Sequence, residues 1–209
     1  MLTIWGRTNS SNVQKVMWAV SELGLQVNRI DAGGVFGLVH TAGYLAKNPN
    51  GLVPTLEEDD GFVLWESNSI LRYLGDAYDP NGVIRPPDIR TRAIASQWID
   101  WDLNVLWPAH GVAFMGLIRT PEHQRDEGAI QASLDKTTDA LRLVEAHLSR
   151  NRFMAGDAFS YGDIPIGIIA RRYRKLYPAR PLMPNFDRWF EQISNRKGFQ
   201  VGVGSVPIT

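Results

Sequence analysis

The stretch that decides the fold runs Asn48-Pro49-Asn50-Gly51-Leu52-Val53-Pro54-Thr55-Leu56. Its first four residues are typical of a turn, and a proline directly before strand-forming residues indicates a constrained entry into a strand. Val53–Pro54 is a candidate cis peptide bond, because X-Pro bonds tolerate cis at a cost of about 0.5–1 kcal/mol. An ordinary trans proline that opens an edge strand is the alternative. A cis bond would expose the Val53 amide and carbonyl, which could pair with a peptide-like ligand as an added strand does.

The second informative stretch runs Leu64-Trp65-Glu66-Ser67-Asn68-Ser69-Ile70-Leu71-Arg72-Tyr73-Leu74. An acidic turn ending in glycine, at 58–61, separates short strands at 55–57 and 62–65 and predicts a β-hairpin. Ser67 is predicted to cap the helix that follows. The free amides at a helix N-terminus also bind carboxylates, and Glu66 beside them could hold an ammonium. One amino-acid head group would satisfy both residues.

Upstream of these stretches, the chain alternates between strand and helix signals. An apolar run at 2–5 is followed by helical spacing of apolar residues from 13 to 23 and by a strand pattern at 27–31. A βαβ unit of this length predicts two parallel strands. With a short helical piece at 44–46, the order β-α-β-(α)-β-β-α predicts a four-stranded mixed sheet with helices on both sides.

Downstream, residues 79–87 contain Pro80, Gly82 and the Pro86-Pro87 pair and are predicted to be a linker. No convincing strand pattern follows, so residues 88–209 are predicted to form an all-α helical bundle domain, after a first domain at 1–78. Pro108 is expected to kink the helix within 88–119 or to end it near Trp107. Further helices are predicted at 130–148, 161–176 and 184–196 from their apolar spacing.

Composition removes several classes of function. The chain has 209 residues, a formal net charge of zero and no cysteine. The balanced charge argues against a nucleic-acid binder, and no apolar run reaches the roughly 20 residues of a membrane span. The absence of cysteine excludes disulfides, thiolate-ligated metals and a cysteine nucleophile. Any thiol chemistry must therefore use a thiol that arrives with a substrate, and a cytoplasmic protein is expected because no signal peptide is recognisable.

Taken together, the two quoted stretches closely resemble the glutathione-binding half of the cytosolic glutathione transferases. Phe153-Met154-Ala155-Gly156-Asp157-Ala158-Phe159-Ser160-Tyr161-Gly162-Asp163-Ile164 resembles the helical-domain signature of the same family and has the spacing of a capping box, Ser160 to Asp163. The resemblance implies an α/β thioredoxin-like domain followed by the all-α domain. It also implies that the backbone of Val53, before a cis Pro54, pairs with the cysteinyl part of glutathione, and that Glu66 and Ser67 bind its γ-glutamyl end.

The loop after the first strand reads Thr8-Asn9-Ser10-Ser11-Asn12-Val13-Gln14-Lys15. When Lys15 is aligned with the basic residue of tau- and zeta-like patterns, Ser10 falls on their catalytic serine. A shift of one residue would give that role to Ser11, and Asn12 falls where some bacterial members place an asparagine near the sulfur. The alternative is that a serine here only caps the first helix. The resemblance is thus to bacterial, serine-type members with theta-, tau- or zeta-like features.

The remaining candidates depend on position. His40 lies near the segment that contacts the glycine end of glutathione in theta-like members, although an unliganded loop histidine is the alternative. Trp107, His110 and Phe114 lie where the helical domain would contribute the electrophile site, and core packing is the alternative for each of them. No metal-ligand spacing is recognisable.

The predicted function is that of a glutathione transferase, which stabilises the glutathione thiolate for attack on a hydrophobic electrophile in detoxification. Glutathione is the expected co-substrate, without a metal. The alternatives are glutathione-dependent reduction of disulfides or peroxides, and a non-catalytic protein of the same fold that binds ligands or acts as an adapter. The resemblance implies a homodimer; neither nucleic acid nor a membrane is an expected partner.

Overall fold

The computed structural model describes every residue from Met1 to Thr209. The chain divides into two compact units. The first comprises Met1–Arg85 together with Lys197–Pro207, and the second comprises Pro86–Arg196 together with Ile208–Thr209.

The first unit is built on a four-stranded mixed sheet. Its elements are β1 (Leu2–Trp5), α1 (Ser11–Glu22), β2 (Val27–Ile30), α2 (Ala42–Leu45), β3 (Thr55–Glu57), β4 (Val63–Trp65) and α3 (Ser67–Tyr78). The strand order is β2-β1-β3-β4; β1 and β2 are parallel, whereas β3 is antiparallel to both β1 and β4. The predicted mixed sheet, with its parallel pair and its hairpin, is confirmed.

Alternation of burial explains this sheet. In β1, Leu2 and Ile4 are buried while Thr3 and Trp5 are only partly so, as expected for side chains that point to opposite faces of a strand. The buried residues of α1 and α3 recur at helical spacing, and Ile70, Leu71 and Leu74 of α3 are completely buried. Burial of these apolar faces holds the helices on the sheet, at roughly 1.5–3 kcal/mol for each fully buried large side chain.

The second unit is entirely helical. It contains α4 (Ile89–Trp101), α5 (Trp107–Phe114), α6 (Glu127–Leu148), α7 (Asp163–Leu176) and α8 (Pro184–Ser194). Pro108 does not end the helix, because residues 102–106 form a turn of π-helix and Pro108 then lies in the first turn of α5. The wider turn accommodates the missing N–H group of the proline, so the helical path continues to Arg119.

The capping motif at the start of α7 is centred on the carboxylate of Asp163. The Ser160 amide donates to Asp163 Oδ2 at 2.9 Å, while the Gly162 amide donates to the Ser160 hydroxyl at 3.2 Å. Asp163 Oδ1 also accepts from the Met154 amide at 2.9 Å and from Trp189 Nε1 at 2.8 Å. Complete burial nevertheless raises the pKa of Asp163 to about 6. The motif thus joins three segments of the helical unit.

The C-terminal segment differs from the prediction, which assigned all of 88–209 to the helical domain. Lys197–Pro207 groups with the first unit and contains a further helical segment, α9 (Lys197–Phe199) followed by a π-helical turn at 200–204. Phe199 packs edge-on against Trp18 of α1, with ring centroids 4.9 Å apart. A Cβ atom at Gly202 would lie 2.7 Å from the Trp18 amide, so only glycine permits this approach. Sequence periodicity does not indicate which unit such a short segment packs against.

No helix combines the length and the apolar character that crossing a membrane requires.

Candidate functional site

The loop that precedes α1 is held by hydrogen bonds to its carbonyl groups. It extends β1 past the sheet, since the Gly6 amide donates to the Ile30 carbonyl at 2.8 Å. The guanidinium of Arg29, on β2, donates to the Gly6 carbonyl at 2.8 Å. The buried amide of Gln14, on α1, donates to the Thr8 carbonyl at 3.1 Å. These bonds position the residues that follow, which are the candidates for contact with a sulfur atom.

Ser10, Ser11 and Asn12 lie together at the N-terminus of α1. Ser10 occupies the N-cap position with extended backbone angles, but its hydroxyl makes no capping hydrogen bond. Ser11 is the first residue of the helix; both serines are partly buried, whereas Asn12 is exposed. A hydroxyl that is not used for capping remains available to donate to a ligand. No hydrogen bond therefore supports the interpretation that the Ser10 side chain caps α1.

Asn12 connects this loop to the start of α3. The Ser67 hydroxyl donates to Asn12 Oδ1 at 3.3 Å, across 55 residues of sequence. Ser67 was predicted as the cap of α3, but it is the first residue of the helix and Glu66 holds the N-cap position. Glu66 has a φ of +70°, which is rare for a residue other than glycine, and its side chain makes no capping bond. Such backbone strain is found mostly at functional sites, which motivates a role in binding for this residue.

The Val53–Pro54 peptide bond is cis, as predicted. No hydrogen bond within the chain uses the Val53 amide or carbonyl, so both are available to an extended ligand. The preceding carbonyl, that of Leu52, accepts from the Tyr44 hydroxyl at 2.6 Å and from Asn48 Nδ2 at 2.9 Å.

Tyr44, Asn48 and Thr55 form a buried polar cluster that sequence reasoning missed. The Thr55 hydroxyl lies 2.9 Å from the Tyr44 hydroxyl and 3.2 Å from Asn48 Nδ2. Burial raises the pKa of Tyr44, so its hydroxyl stays protonated and able to donate. The cluster fixes the turn that presents Val53. Its one sequence signal is Asn48 at the start of the Asn-Pro-Asn-Gly turn.

His40 lies against the same turn. A Cβ atom at Gly51, where φ is +62°, would approach His40 Nδ1 to 3.1 Å, so the imidazole packs directly over this glycine. The side chain is otherwise exposed. The residue that His40 contacts, Gly51, precedes Val53 by two positions in the sequence. This location agrees both with a ligand-binding histidine and with an unliganded loop histidine.

The three candidates for the electrophile site form an aromatic cluster within the helical unit. The Phe114 ring centroid lies 6.4 Å from that of Trp107 and 6.3 Å from that of His110, and the Arg172 guanidinium lies 4.1 Å from the Phe114 ring centre. His110 is completely buried, and neither ring nitrogen has a hydrogen-bond partner. Burial, aided by the charge of Arg172, lowers the pKa of His110 to about 3. His110 is therefore a neutral core residue, while Trp107 keeps partial exposure.

No group of three or more histidine, aspartate or glutamate side chains is arranged to hold a metal ion. The loop, the turn and the start of α3 present hydrogen-bond donors and helix N-termini. Such groups can bind carboxylates, extended backbone and a thiolate.

Comparison with known proteins gives matches over both units. A family model described as the N-terminal domain of glutathione S-transferase matches residues 9–77, and one described as the C-terminal domain matches residues 105–197. The chain is 41% identical to glutathione S-transferase GstB of Escherichia coli K12 over 197 residues, which cover 94% of each chain.

Solved structures agree with these matches. A theta class glutathione S-transferase from Xanthomonas axonopodis pv. citri, with glutathione bound, is 37% identical and has a TM-score of 0.89, covering 100% of this chain and 99% of that one. A more distant relative, elongation factor 1-gamma of Sus scrofa, is 29% identical over 79% of this chain but only 38% of its own length.

Proposed function

The chain belongs to the glutathione S-transferase family of enzymes, and we propose that its first unit binds glutathione and stabilises the thiolate for attack on a hydrophobic electrophile. One observation carries this proposal most directly: the Ser67 hydroxyl contacts Asn12 at 3.3 Å and so brings the starts of α1 and α3 together. Both helices have 12 residues, long enough for a useful dipole at the N-terminus.

Each part of glutathione has a matching group in the unit. The γ-glutamyl carboxylate would accept hydrogen bonds from Ser67 and from the amides at the start of α3, while Glu66 would hold the ammonium. The Val53 amide and carbonyl would pair with the cysteinyl backbone, and their availability supports this role. His40 would contact the glycine end.

The sulfur atom would lie at the start of α1. A free thiol has a pKa of about 8.5, so little thiolate exists near neutral pH. Donation from the Ser10 hydroxyl, with Ser11 as the second candidate and Asn12 as an auxiliary donor, would stabilise the anion together with the helix dipole. A depression of two pH units requires only about 2.7 kcal/mol, so a general base is not needed.

The reaction is a nucleophilic substitution or addition. The bound thiol releases its proton to solvent, and the thiolate forms a carbon–sulfur bond with the electrophile. With an aromatic chloride, the chloride ion leaves with the electron pair of its former bond to carbon. Trp107, which is partly exposed, is the proposed contributor to the electrophile site, with the largely buried Phe114 beside it at a ring-centroid distance of 6.4 Å. The completely buried, neutral His110 supports the packing of that helix.

Calorimetry with glutathione, together with turnover of a chlorinated nitrobenzene, tests the proposal. We expect binding and glutathione-dependent release of chloride. Absence of binding would instead favour the non-catalytic alternative. A disulfide substrate separates transferase from reductase activity, because reduction would consume a second glutathione to resolve the mixed disulfide.

A further inference from the structure

A cavity of about 490 Å³ lies within the first unit, between α1, β2 and the C-terminal segment Lys197–Pro207. Cavities of roughly 300–1,000 Å³ are of the size that holds small-molecule ligands. None of the residues proposed to contact glutathione lines this cavity. Its occupant would therefore be a second ligand, and the lining side chains indicate the chemistry of that ligand.

The walls of the cavity are largely apolar, with Met17 and Val20 from α1, Val27 from β2 and Val201 from the C-terminal segment. Met17 and Val20 are three residues apart and so share one face of the helix. Val20 is only 3% exposed, whereas Val201 is 59% exposed. The cavity thus has a buried apolar floor and an open apolar rim, which suits a ligand that is apolar over most of its length.

A glycine in the C-terminal segment sets the position of this rim. A Cβ atom at Gly202 would lie 2.7 Å from the Trp18 amide, so the segment approaches the backbone of α1 closely at this point. Val201, the residue before this glycine, then stands at the mouth of the cavity. A substitution at Val201 therefore changes the cavity without entering the tight contact with α1.

The charged residues that line the cavity are both cations, Arg29 and Lys197, and no acidic residue lines it. Arg29 is neutralised by Asp31, whose two carboxylate oxygens lie 2.5 and 3.3 Å from its Nη atoms. Nearby, the Glu22 carboxylate accepts from Trp18 Nε1 at 2.9 Å. Lys197 is exposed and takes part in no ion pair within the chain, so its ammonium is free to pair with an anionic ligand.

Another cavity of the same unit has the opposite charge. It measures about 380 Å³, and Glu58, Asp59 and Asp60 are among its lining residues. A site lined by one sign of charge attracts ligands of the other sign. Of these two cavities, the one beside the C-terminal segment is the one whose charge favours an anion.

We propose that the cavity beside the C-terminal segment is a second ligand site, separate from that for glutathione, which binds small amphipathic carboxylates. The apolar chain of the ligand lies against Val20 and Val27, and its carboxylate pairs with Lys197 at the rim. Burial of the chain supplies most of the affinity, about fourfold for each buried methylene group. The exposed ion pair adds only about two- to fivefold. This site goes beyond the proposed function and does not depend on it.

Calorimetry with simple carboxylates near neutral pH tests the proposal. We expect octanoate to bind the wild-type protein at one site and about 15-fold more tightly than hexanoate, which has two fewer methylene groups. Saturating glutathione should leave the Kd of octanoate unchanged. Octan-1-ol, which has a similar chain but no charge, is the probe that separates the apolar contact from the ion pair.

Two variants locate the site, each with a matched control at an exposed position of the helical unit. Val201→Glu places an anion at the rim and should weaken octanoate binding roughly tenfold, whereas Leu182→Glu should not. Lys197→Met should weaken binding of octanoate about two- to fivefold and leave that of octan-1-ol unchanged, with Lys136→Met as its control. Ser21→Phe, which fills the cavity from α1, replaces Val201→Glu if that variant lacks the native circular dichroism spectrum.

The proposal would be overturned if octanoate did not bind saturably to the wild-type protein, or if Val201→Glu bound it as tightly as Leu182→Glu. Displacement of octanoate by glutathione would also overturn it, because the carboxylate would then occupy the glutathione site. An equal loss of octanoate and octan-1-ol affinity in Lys197→Met would refute the ion pair. A wild-type protein that binds octanoate but not glutathione would contradict the proposed function alone.

Discussion

Replacement of Ser10 by alanine tests the assignment of the sulfur contact. The Ser10 hydroxyl makes no capping bond, so its removal should leave the free energy of unfolding within about 0.5 kcal/mol of wild type. If the hydroxyl did cap the helix, the loss would be about 1 kcal/mol. Stability and activity therefore respond differently to this single change.

The expected effect on activity follows from the energy of a charge-assisted hydrogen bond. Such a bond contributes about 1.5–3 kcal/mol, and at 1.36 kcal/mol per unit its loss should raise the pKa of the bound thiol by roughly one to two units. At a pH below that pKa, the thiolate fraction and kcat/KM should then fall roughly 10- to 100-fold.

The assay is the pH dependence of kcat/KM with glutathione and a chlorinated nitrobenzene, with Ser11→Ala as the matched control. We expect the pH profile of Ser10→Ala to move to higher pH and that of Ser11→Ala to stay. An unchanged profile in Ser10→Ala refutes the assignment, and a shift in Ser11→Ala alone transfers the role to Ser11.

Three further predictions concern the surroundings of the site and the helical unit. Tyr44→Phe removes the 2.6 Å hydrogen bond to the Leu52 carbonyl and should cost about 1–2 kcal/mol in urea unfolding, with weaker glutathione binding by calorimetry; an unchanged Kd would show that this cluster does not position Val53. Burial lowers the pKa of His110 to about 3. The imidazole of the unfolded chain binds a proton below about pH 6.5, whereas that of the folded protein stays neutral, so the free energy of unfolding decreases as the pH falls. Between about pH 7 and pH 5 that loss is about 2 kcal/mol, and His110→Leu should weaken the pH dependence of urea unfolding by this amount; an equal dependence in both proteins would contradict it. In Asp163→Asn an amide NH2 group replaces one carboxylate oxygen, so it faces either the Ser160 amide or the pair formed by the Met154 amide and Trp189 Nε1. This change should destabilise the helical unit by about 2–4 kcal/mol, whereas the exposed control Asp157→Asn should change it by less than about 0.5 kcal/mol.

Local patterns predicted the sheet well. The βαβ unit, the acidic hairpin turn and the cis peptide bond at Val53–Pro54 each depend on residues that are neighbours in sequence. One departure from the prediction comes from an interaction between distant residues, since the C-terminal segment packs through Phe199 on Trp18. The other is local: of the two outcomes expected at Pro108, a kink or an end, the end near Trp107 does not occur, because the helix continues through a π-helical turn that the periodicity of apolar residues does not encode.

In the candidate site, too, the sequence predicts which segments are involved but not the contacts between them. Sequence placed the candidates for sulfur and γ-glutamyl contact in two segments, and the structure brings Asn12 and Ser67 together. It did not predict that Glu66, with a positive φ, takes the cap position and leaves Ser67 to donate across to α1. His110 could not be placed from sequence either, because an aromatic helix face has the same pattern whether it lines a pocket or the core.

The most direct test of the account is the pKa of the thiol of glutathione bound to the wild-type protein, measured from thiolate absorbance as a function of pH. The account predicts saturable binding and a pKa depressed by about two units from the ordinary value of about 8.5. A bound thiol that still titrates at about 8.5, or a chain that does not bind glutathione, would contradict it.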